Sequence, residues 1–467
     1  MDYISTRGAA PRLKFDGALL SGLARDGGLY IPADWPTFTA AEIRAFQGLS
    51  YADLAVRVMM PFIGDVIKED DFAAIVHAAY AEFGHPAVAP LKQLGPDQWV
   101  MELFHGPTLA FKDYALQLVG RLFDHVLKAQ GAKVTIIGAT SGDTGSAAIE
   151  ACRDREAIQI FILHPHGRVS EVQRRQMTTV MAANVHNIAL EGTFDDCQDY
   201  VKALFNDMAF RDRYTLSAVN SINWARIMAQ IVYYFWAAVA LGAPDRKVTF
   251  AVPTGNFGNV YAGYCARKMG LPIAGYQVAS NRNDILTRYF ETGTMQMVPV
   301  EPSLSPSMDI QVSSNFERLL ADHYADGAAL AAALTAFRET GSQSFGDDRW
   351  QAILESFRGY RLDDDSTKTV IREIYESTGE LLDPHTATGV AAALSLPRDA
   401  GTPVVALATA HPAKFPDAVQ AASGIRPVLP PRMADLFDRE ENCTVLGNDL
   451  DAVRAHITET LSLRNAS

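Results

Sequence analysis

The sequence has few cysteines, less positive than negative charge and no hydrophobic run long enough to cross a bilayer. Its four cysteines, Cys152, Cys197, Cys265 and Cys443, lie far apart without metal-binding spacing, which predicts reduced, mostly buried thiols. The formal net charge of −13 argues against nucleic acid as a partner. The most apolar stretch, residues 227–243, is short for a membrane span and is better explained as a buried helix. The first residues show no secretory signal pattern, so we expect a cytoplasmic protein.

The 467 residues are enough for two or three domains, and the order of apolar segments predicts an α/β fold. From residue 133 onward, apolar strands alternate with helical stretches, which is typical of parallel sheets covered by helices. The predicted strands lie at 133–138, 157–163, 185–190, 215–219, 248–253, 273–279 and 404–408. We expect an N-terminal unit at 1–95, a large domain at 96–132 and 225–467 with an insertion around 293–365, and a small domain at 133–224. Ligands should bind at the carboxyl ends of the strands.

Lys112 is the first candidate for chemistry. It precedes residues 114–123, whose apolar side chains recur at helical spacing, so we expect Lys112 in the first turn of a helix. The positive end of the helix dipole there disfavours a charged ammonium. A neutral lysine amine can form a Schiff base with an aldehyde. The alternative is an ordinary solvated lysine on an amphipathic helix.

A glycine-containing turn follows the predicted strand at 248–253. We call it the glycine loop, and its members are Gly255, Asn256, Phe257, Gly258 and Asn259. Glycines at this spacing let backbone N–H groups converge on an anion at a helix N-terminus, although an ordinary turn is the alternative. The spacing is not that of nucleotide loops, and so short a turn suits one phosphate monoester. A Schiff-base lysine together with a cradle for one phosphate predicts pyridoxal 5′-phosphate.

Motifs along nearly the whole chain resemble those of the threonine synthases, which belong to the fold type II, tryptophan synthase β-like group of pyridoxal-phosphate-dependent enzymes. The motifs lie at residues 3–8, 20–32, 104–113, 138–145, 220–226, 255–259, 383–387 and 409–415. Each motif alone is moderately specific, whereas all of them in this order are highly specific. The resemblance implies two open parallel-sheet α/β domains of the fold type II kind with an additional N-terminal unit.

The resemblance also implies substrate contacts at a second strand-to-helix turn. Thr140, Ser141 and Thr144 would hold the α-carboxylate of the substrate at a helix N-terminus, and helix capping alone is the alternative. Members of the wider fold group often have Asn where Asp143 stands. A carboxylate there would repel the pyridoxal 3′-oxygen, so the role of Asp143 stays open.

Two further segments complete the implied site. Ser221, Asn223 and Arg226 would bind the phosphate of the substrate, with Arg226 donating as a planar fork, and a salt bridge at a helix start is the alternative for Arg226. Thr409, after the strand at 404–408, would bond the pyridine nitrogen without enforcing its protonation. Three neighbouring residues keep an open role, namely Asp383, His385 and His411.

The resemblance implies a lyase of threonine biosynthesis that converts O-phospho-L-homoserine and water to L-threonine and phosphate by γ-elimination and β-addition. Lys112 would hold the cofactor and then move protons at the α and β carbons. One alternative is a threonine or serine dehydratase of the same fold, which needs no site for a substrate phosphate. The other is a non-catalytic relative that acts as an interaction protein. We expect a monomer or homodimer with a small-molecule substrate, no bound metal and no membrane partner.

Overall fold

The computed structural model describes residues 1–218, 220–324, 326–346, 348–397 and 401–465, so Val219 of a predicted strand lies outside the described residues. The described strands are β1 (Tyr3–Ser5), β2 (Tyr30–Pro32), β3 (Leu91–Gly95), β4 (Gln98–Glu102), β5 (Val134–Ala139), β6 (Ile158–Pro165), β7 (Val185–Leu190), β8 (Leu216–Ser217), β9 (Val248–Pro253), β10 (Ile273–Ser280), β11 (Thr294–Gln296), β12 (Ser342–Ser344), β13 (Phe357–Arg361), β14 (Val404–Ala408) and β15 (Thr444–Leu446).

The described α-helices are α1 (Phe15–Ser21), α2 (Ala40–Ala45), α3 (Tyr51–Ile63), α4 (Glu69–Tyr80), α5 (Lys112–Gln130), α6 (Asp143–Cys152), α7 (Glu171–Thr178), α8 (Phe194–Asn206), α9 (Met208–Arg213), α10 (Trp224–Ala240), α11 (Gly258–Lys268), α12 (Ile285–Thr292), α13 (Phe316–Tyr324), α14 (Gly327–Thr340), α15 (Asp348–Leu354), α16 (Asp364–Thr378), α17 (Pro384–Leu394), α18 (Pro416–Ser423) and α19 (Leu450–Asn465). Helix α10 is almost wholly buried, as expected for residues 227–243. None of the helices in the described part of the chain is long and apolar enough to span a membrane.

The first compact unit, Met1–Ala115 with Ser221–Val428, contains a six-stranded sheet. Its strand order is β13-β10-β9-β14-β4-β3, and every neighbouring pair is parallel except β3–β4. Strand β14 is apolar along its length, and β9 is apolar except at Thr249, because a strand covered on both faces needs apolar side chains on both. The glycine loop follows β9 and Thr409 follows β14, so both lie at carboxyl ends of neighbouring strands.

The second unit, Leu116–Asn220 with the described residues from Leu429 onward, contains a five-stranded parallel sheet of order β15-β7-β6-β5-β8. Helices α8 and α19 cover one face of this sheet with apolar side chains such as Leu204, Val453 and Ile457. Residues 225–467, which the sequence predicts to lie in the large domain, include β15, and this strand pairs with β7 of the second unit. The domain boundaries given by the sequence stay a prediction.

The N-terminal segment packs on the start of α10. The Tyr3 and Trp224 rings lie 5.9 Å apart, and Trp224 Nε1 donates to the Tyr3 hydroxyl over 3.1 Å. The Asn223 amide donates to the Leu19 carbonyl (2.7 Å) and accepts from the Ala225 N–H (3.0 Å), so it caps α10. The N-terminal segment of the chain therefore fixes the first turn of α10, which contains Arg226.

Residues 293–365, which the sequence predicts to be an insertion, contain α13, α14 and α15 as well as β11, β12 and β13. Strand β13 extends the six-stranded sheet beside β10. The three strands have only three to five residues each, too few to give a clear alternating pattern. The intervening serine-rich segment, residues 303–315, contains a 3₁₀ turn at Pro306–Met308 and no other helix or strand among its residues.

Candidate active site

Lys112 is the first residue of α5, as predicted from the sequence. Two backbone bonds hold the segment before it against the end of β14: the Phe111 N–H donates to the Thr409 carbonyl (2.9 Å) and the His411 N–H to the Leu109 carbonyl (3.0 Å). Leu109 has a φ of 63°, a conformation that costs energy in a residue other than glycine and that occurs often at functional sites. Lys112 is only 9% exposed, and its Nζ lies 3.4 Å from Ser307 Oγ.

A buried polar network lies beside Lys112. Asp113 accepts from the Thr108 N–H (2.7 Å) and the Thr108 hydroxyl (2.6 Å), while Lys414 Nζ donates to the Thr108 carbonyl (2.7 Å). Burial raises the pKa of Asp113, and the bonds from Thr108 and the charge of Lys414 oppose that rise. These contacts give Lys414 a structural partner, and they fix the turn that places Lys112.

The glycine loop presents open backbone donors at the start of α11. Within the described residues, the N–H groups of residues 255–259 have no hydrogen-bond acceptor. The carbonyls face the other way: Gly255 O accepts from the Ser313 hydroxyl (2.7 Å) and Asn256 O from the Asn315 N–H (3.0 Å). A set of unpaired N–H groups at a helix N-terminus is an anion site.

The left-handed residue of the loop is not a glycine. Phe257 has a φ of 60°, and its buried ring packs on Phe316 and Phe357 with centroids 5.0 and 5.9 Å away. Gly255 is needed for space, because an added Cβ would lie 2.6 Å from the Ser307 carbonyl oxygen. Gly258 is less confined, with the nearest atoms at 3.3 and 3.4 Å. A side chain should therefore be tolerated better at position 258 than at position 255.

Two side chains near the loop also carry unpaired buried donors. In the part of the chain that the structure describes, Arg226 Nε and Nη1 and Asn259 Nδ2 have no hydrogen-bond partner. Burial lowers the pKa of Arg226 to about 10, with the nearby Tyr233 partly offsetting it. Asn259 is held by α10, because the Tyr233 hydroxyl donates to its Oδ1 (2.6 Å) and the Tyr234 hydroxyl to its carbonyl (2.9 Å). Buried donors without acceptors are costly, so these donors are suited to bind an anion.

Asn315 joins the segment of Ser221 to the glycine loop. Its Nδ2 donates to the Ser221 carbonyl (3.1 Å) and to the Asn256 carbonyl (3.0 Å). Its Oδ1 accepts from the fully buried Arg318. The two segments that the sequence assigns to two separate phosphates are therefore neighbours in the first unit.

His385 faces the serine-rich segment at the start of α17. Asp383 caps this helix by accepting the N–H groups of His385 (3.0 Å) and Thr386 (2.9 Å). His385 Nδ1 lies 2.7 Å from Asp383 Oδ2, and His385 Nε2 accepts the Ser307 N–H over 3.2 Å. Asp383 and His385 are buried, so the pair is fixed within the first unit.

The turn at Thr140 belongs to the second unit and is described by itself. The Thr140 hydroxyl oxygen accepts the N–H groups of Gly142 (3.0 Å) and Gly145 (2.8 Å), which caps α6. Ser141 is exposed and Thr144 is partly buried. Asp143 Oδ1 accepts from Gln173 Nε2 of α7 over 2.8 Å, so α7 orients this carboxylate.

The first unit thus gathers most of the predicted residues, namely Lys112, the glycine loop, Ser221, Asn223, Arg226 and Thr409. Sequence reasoning missed Ser307, Ser313 and Asn315. Their segment has no periodicity and no glycine motif, and only the run of hydroxyl and amide side chains in residues 303–315 hints at a polar role.

Comparison with known proteins agrees with this geometry. A family model described as pyridoxal-phosphate dependent enzyme matches residues 85–343, which include Lys112, the glycine loop and Arg226. The fold and these residues define the class of fold type II pyridoxal-phosphate enzymes. Two further models match, threonine synthase N terminus at residues 2–80 and threonine synthase, C-terminal, at residues 386–457. The chain belongs to the threonine synthase family.

The individual relatives match over nearly their full length. The threonine synthase of Pseudomonas aeruginosa is 58% identical over 461 residues, with 98% of each chain covered. That of Schizosaccharomyces pombe is 41% identical and covers 100% of this chain and 99% of its own. The crystal structure of pyridoxal-phosphate-bound threonine synthase from Brucella melitensis superimposes with a TM-score of 0.97 at 52% identity, covering 98% of this chain and 99% of its own. The yeast enzyme gives 0.94 at 39%, covering 99% of each chain.

Proposed function

We propose that this chain catalyses the threonine synthase reaction, in which O-phospho-L-homoserine and water give L-threonine and phosphate, with Lys112 as the catalytic residue. The observation that carries the proposal is the set of donors without acceptors in the same unit as Lys112: the N–H groups of the glycine loop, Arg226 Nε and Nη1, and Asn259 Nδ2, all taken over the described residues. Such a set needs anions, and the reaction requires one phosphate on the cofactor and one on the substrate.

The residues fit pyridoxal phosphate. Its 5′-phosphate would accept from the open N–H groups of residues 255–259. Gly255 has no side chain, and the Ser307 carbonyl oxygen leaves no room for one at this position. Thr409, which is buried at the end of β14, would face the ring nitrogen with a neutral hydroxyl. When bound, the cofactor supplies an aldehyde for Lys112 and a ring that withdraws electrons from the substrate carbons.

Arg226 would take the phosphate of the substrate. A guanidinium with two free N–H donors can bind a phosphate through two parallel hydrogen bonds, and its burial strengthens them. As the Cγ–O bond breaks, negative charge grows on the leaving phosphate, and Arg226 would stabilise it. We assign a supporting role to Ser221 and Asn223, because Asn223 caps the helix of Arg226.

Lys112 would move the protons. Its amine, once not bonded to the cofactor, would remove the proton at Cα and then at Cβ and would return one proton to Cγ. Water would then add its hydroxyl at Cβ, and a proton would return to Cα. The low exposure of Lys112 limits access of bulk water to its amine. Thr140, Ser141 and Thr144 of the second unit stay the predicted ligands of the substrate carboxylate.

The test is a coupled product assay on the purified chain with pyridoxal phosphate and O-phospho-L-homoserine. We expect inorganic phosphate and L-threonine in equal amounts. A dehydratase would instead release ammonia and a 2-oxo acid from threonine or serine without phosphate. Absence of threonine at full cofactor occupancy would contradict the proposal.

We further propose a cytoplasmic location and a monomeric or homodimeric state. The four cysteines are free thiols, three of them buried, which suits a reducing compartment. The substrate is a small molecule, and the acidic net charge of −13 gives no support for nucleic acid binding. Sedimentation of the loaded protein measures the oligomeric state.

A further inference from the structure

Ser307 lies between the amine of Lys112 and the glycine loop. Its hydroxyl is 3.4 Å from Lys112 Nζ, and its carbonyl oxygen occupies the space that a side chain on Gly255 would need. A distance of 3.4 Å is long for a hydrogen bond, and catalytic hydrogen bonds are often long before a ligand closes the site. Ser307 thus places a hydroxyl in contact with the amine that the proposed chemistry uses.

The Asp383–His385 pair fixes the backbone of Ser307. The Ser307 N–H donates to His385 Nε2 over 3.2 Å, so this nitrogen carries no proton. The ring proton is therefore on Nδ1, which donates to Asp383 Oδ2 over 2.7 Å. Asp383 is itself fixed at the N-terminus of α17 by two backbone N–H groups. The pair sets one tautomer and one ring orientation, as an orienting carboxylate does for a histidine.

A second set of bonds holds the serine-rich segment from its other side. Asp309 Oδ1 accepts from Asn281 Nδ2 (2.7 Å), Asn283 Nδ2 (3.0 Å) and the Ser303 hydroxyl (2.6 Å). Its Oδ2 accepts the Ser303 N–H over 3.0 Å. Because Ser303 and Asp309 flank Ser307, the turn between them is closed and anchored to the end of β10. Ser307 is therefore held by His385 on one side of the turn and by the bonds between Ser303 and Asp309 on the other.

We propose that Ser307 is a catalytic residue that holds the amine of Lys112 through its hydroxyl, and that His385, oriented by Asp383, is a positioning residue for Ser307. The hydroxyl oxygen accepts from the amine, so the lone pair of Nζ is aimed away from Ser307 and toward the reacting partner. This inference rests on the proposed function, because it takes Lys112 as the cofactor lysine. It gives a role to Asp383 and His385, which the sequence left open.

The test follows pyridoxal phosphate binding to the full-length, cofactor-stripped protein by stopped-flow absorbance. Reversible binding depends on the phosphate contacts, whereas the slower covalent step depends on the orientation of Lys112. In Ser307→Ala we expect the covalent step to slow roughly tenfold, the effect of one orienting hydrogen bond on a barrier, with the affinity of the first step unchanged. kcat should fall similarly while KM stays the same. Ser307→Thr, which keeps the hydroxyl, should recover part of the rate.

The histidine is tested with a matched pair that does not alter Ser307. His385→Gln keeps an oxygen acceptor for the Ser307 N–H, whereas His385→Leu removes it. We expect the covalent step to slow in His385→Leu and to be largely kept in His385→Gln. Ser395→Ala, at the end of the same helix, removes a hydroxyl that bonds the Ala392 carbonyl and should behave as wild type.

Three results would overturn the inference. The first is a wild-type covalent rate and kcat in Ser307→Ala. The second is an equal loss of reversible affinity, which indicates only a structural role beside the glycine loop. The third is identical behaviour of His385→Leu and His385→Gln, which still decides the question if Ser307→Ala does not fold. Borohydride reduction followed by peptide mapping separates this failure from that of the proposed function, because attachment to a lysine other than Lys112 would contradict the latter.

Discussion

At the scale of single residues, two buried arginines differ in their hydrogen bonding. One has the partners of a structural residue, and the other has free donors that suit ligand binding. Burial lowers the pKa of both Arg226 and Arg318 to about 10. Arg318 donates to the Tyr30 carbonyl (2.9 Å) and the Ile222 carbonyl (2.7 Å) as well as to Asn315, whereas Arg226 Nε and Nη1 have no partner among the described residues. A buried donor without a partner destabilises the protein, so its presence points to binding.

The matched changes Arg226→Met and Arg318→Met should therefore have opposite effects on the ligand-free protein. Arg226→Met should raise the midpoint of thermal unfolding, because it removes an unpaired donor whose cost is about 1–3 kcal/mol. Arg318→Met should lower it, since the Tyr30 carbonyl, the Ile222 carbonyl and Asn315 lose the hydrogen bonds from Arg318. Differential scanning calorimetry without cofactor or phosphate measures both. A lower midpoint in Arg226→Met would mean that its charge is already satisfied.

The same Arg226 change should damage catalysis. Loss of a bidentate bond to a desolvated phosphate typically costs on the order of 2–5 kcal/mol in kcat/KM. Arg226→Lys should recover only part of it, because a point charge cannot reproduce the planar fork. We expect the affinity for pyridoxal phosphate to change little. Since Asn315 joins the Ser221 segment to the glycine loop, an equal loss of both affinities would show that Arg226 binds the phosphate of the cofactor instead.

Lys112→Ala should abolish turnover and leave the fold intact. The side chain contributes an amine, and its neighbours Asp113, Thr108 and Lys414 keep their own bonds. Pyridoxal phosphate should still bind reversibly through the glycine loop, and borohydride should no longer attach it to the protein. Lys133→Ala, at an exposed lysine, serves as the control for both measurements. Wild-type threonine formation in Lys112→Ala would remove this lysine from the chemistry.

At the scale of elements, the structure of the glycine loop predicts that its two glycines differ in importance, which the sequence alone does not. Gly255→Ala should weaken pyridoxal phosphate binding strongly, because its Cβ would meet the Ser307 carbonyl oxygen at 2.6 Å and push apart the loop and the serine-rich segment. Gly258→Ala should be milder, since its nearest neighbours are the Asn315 and Ile227 side chains at 3.3 and 3.4 Å. Titration of each variant with the cofactor compares them. Equal affinities would mean that the loop adapts freely.

The strands around the site were predictable because their composition is distinctive. The predicted strands at 185–190 and 404–408 match β7 and β14. Strand β14 is apolar throughout, as expected for a strand buried on both faces, whereas β7 has His186 and Asn187 between its apolar residues. Strand β3 was missed because the exposed residues Lys92 and Gln93 interrupt it, and β13 because a glycine and two arginines interrupt it. Edge strands pair through their backbone, so their side chains carry a weaker signal.

Some residues of the site were likewise predictable from the sequence, and others were not. Lys112 begins a predicted helix and the glycine loop follows a predicted strand. At such positions a short sequence motif is enough to indicate the local backbone structure. Ser307 takes its position from Asp309, Asn281 and His385, which are distant in sequence or belong to other elements. The left-handed Phe257 is held by tertiary packing of its ring, whereas local sequence rules expect a glycine at such a position. Contacts of this kind leave no local pattern.

At the scale of the whole molecule, the donors that we expect to bind the two phosphates lie in the first unit of an acidic chain. The formal net charge is −13, so the average field disfavours a phosphate. Lys112, Arg226 and the glycine loop lie together in that unit, whereas Thr140 and its neighbours belong to the second. Recognition therefore depends on local, desolvated hydrogen bonds, which salt screens weakly.

Hydrogen exchange on the whole chain tests this view. The N–H groups of residues 255–259 have no acceptor within the described residues, so they should exchange quickly in the cofactor-free protein. Pyridoxal phosphate should slow their exchange at least roughly tenfold, the effect of about 1.4 kcal/mol of new bonding. Peptides from α3 and α4 serve as the reference and should not change. Lys112→Ala should retain the protection, because the phosphate contact does not require the covalent bond. Protection that spares residues 255–259 would place the cofactor phosphate elsewhere and leave the open donors of this loop without a function.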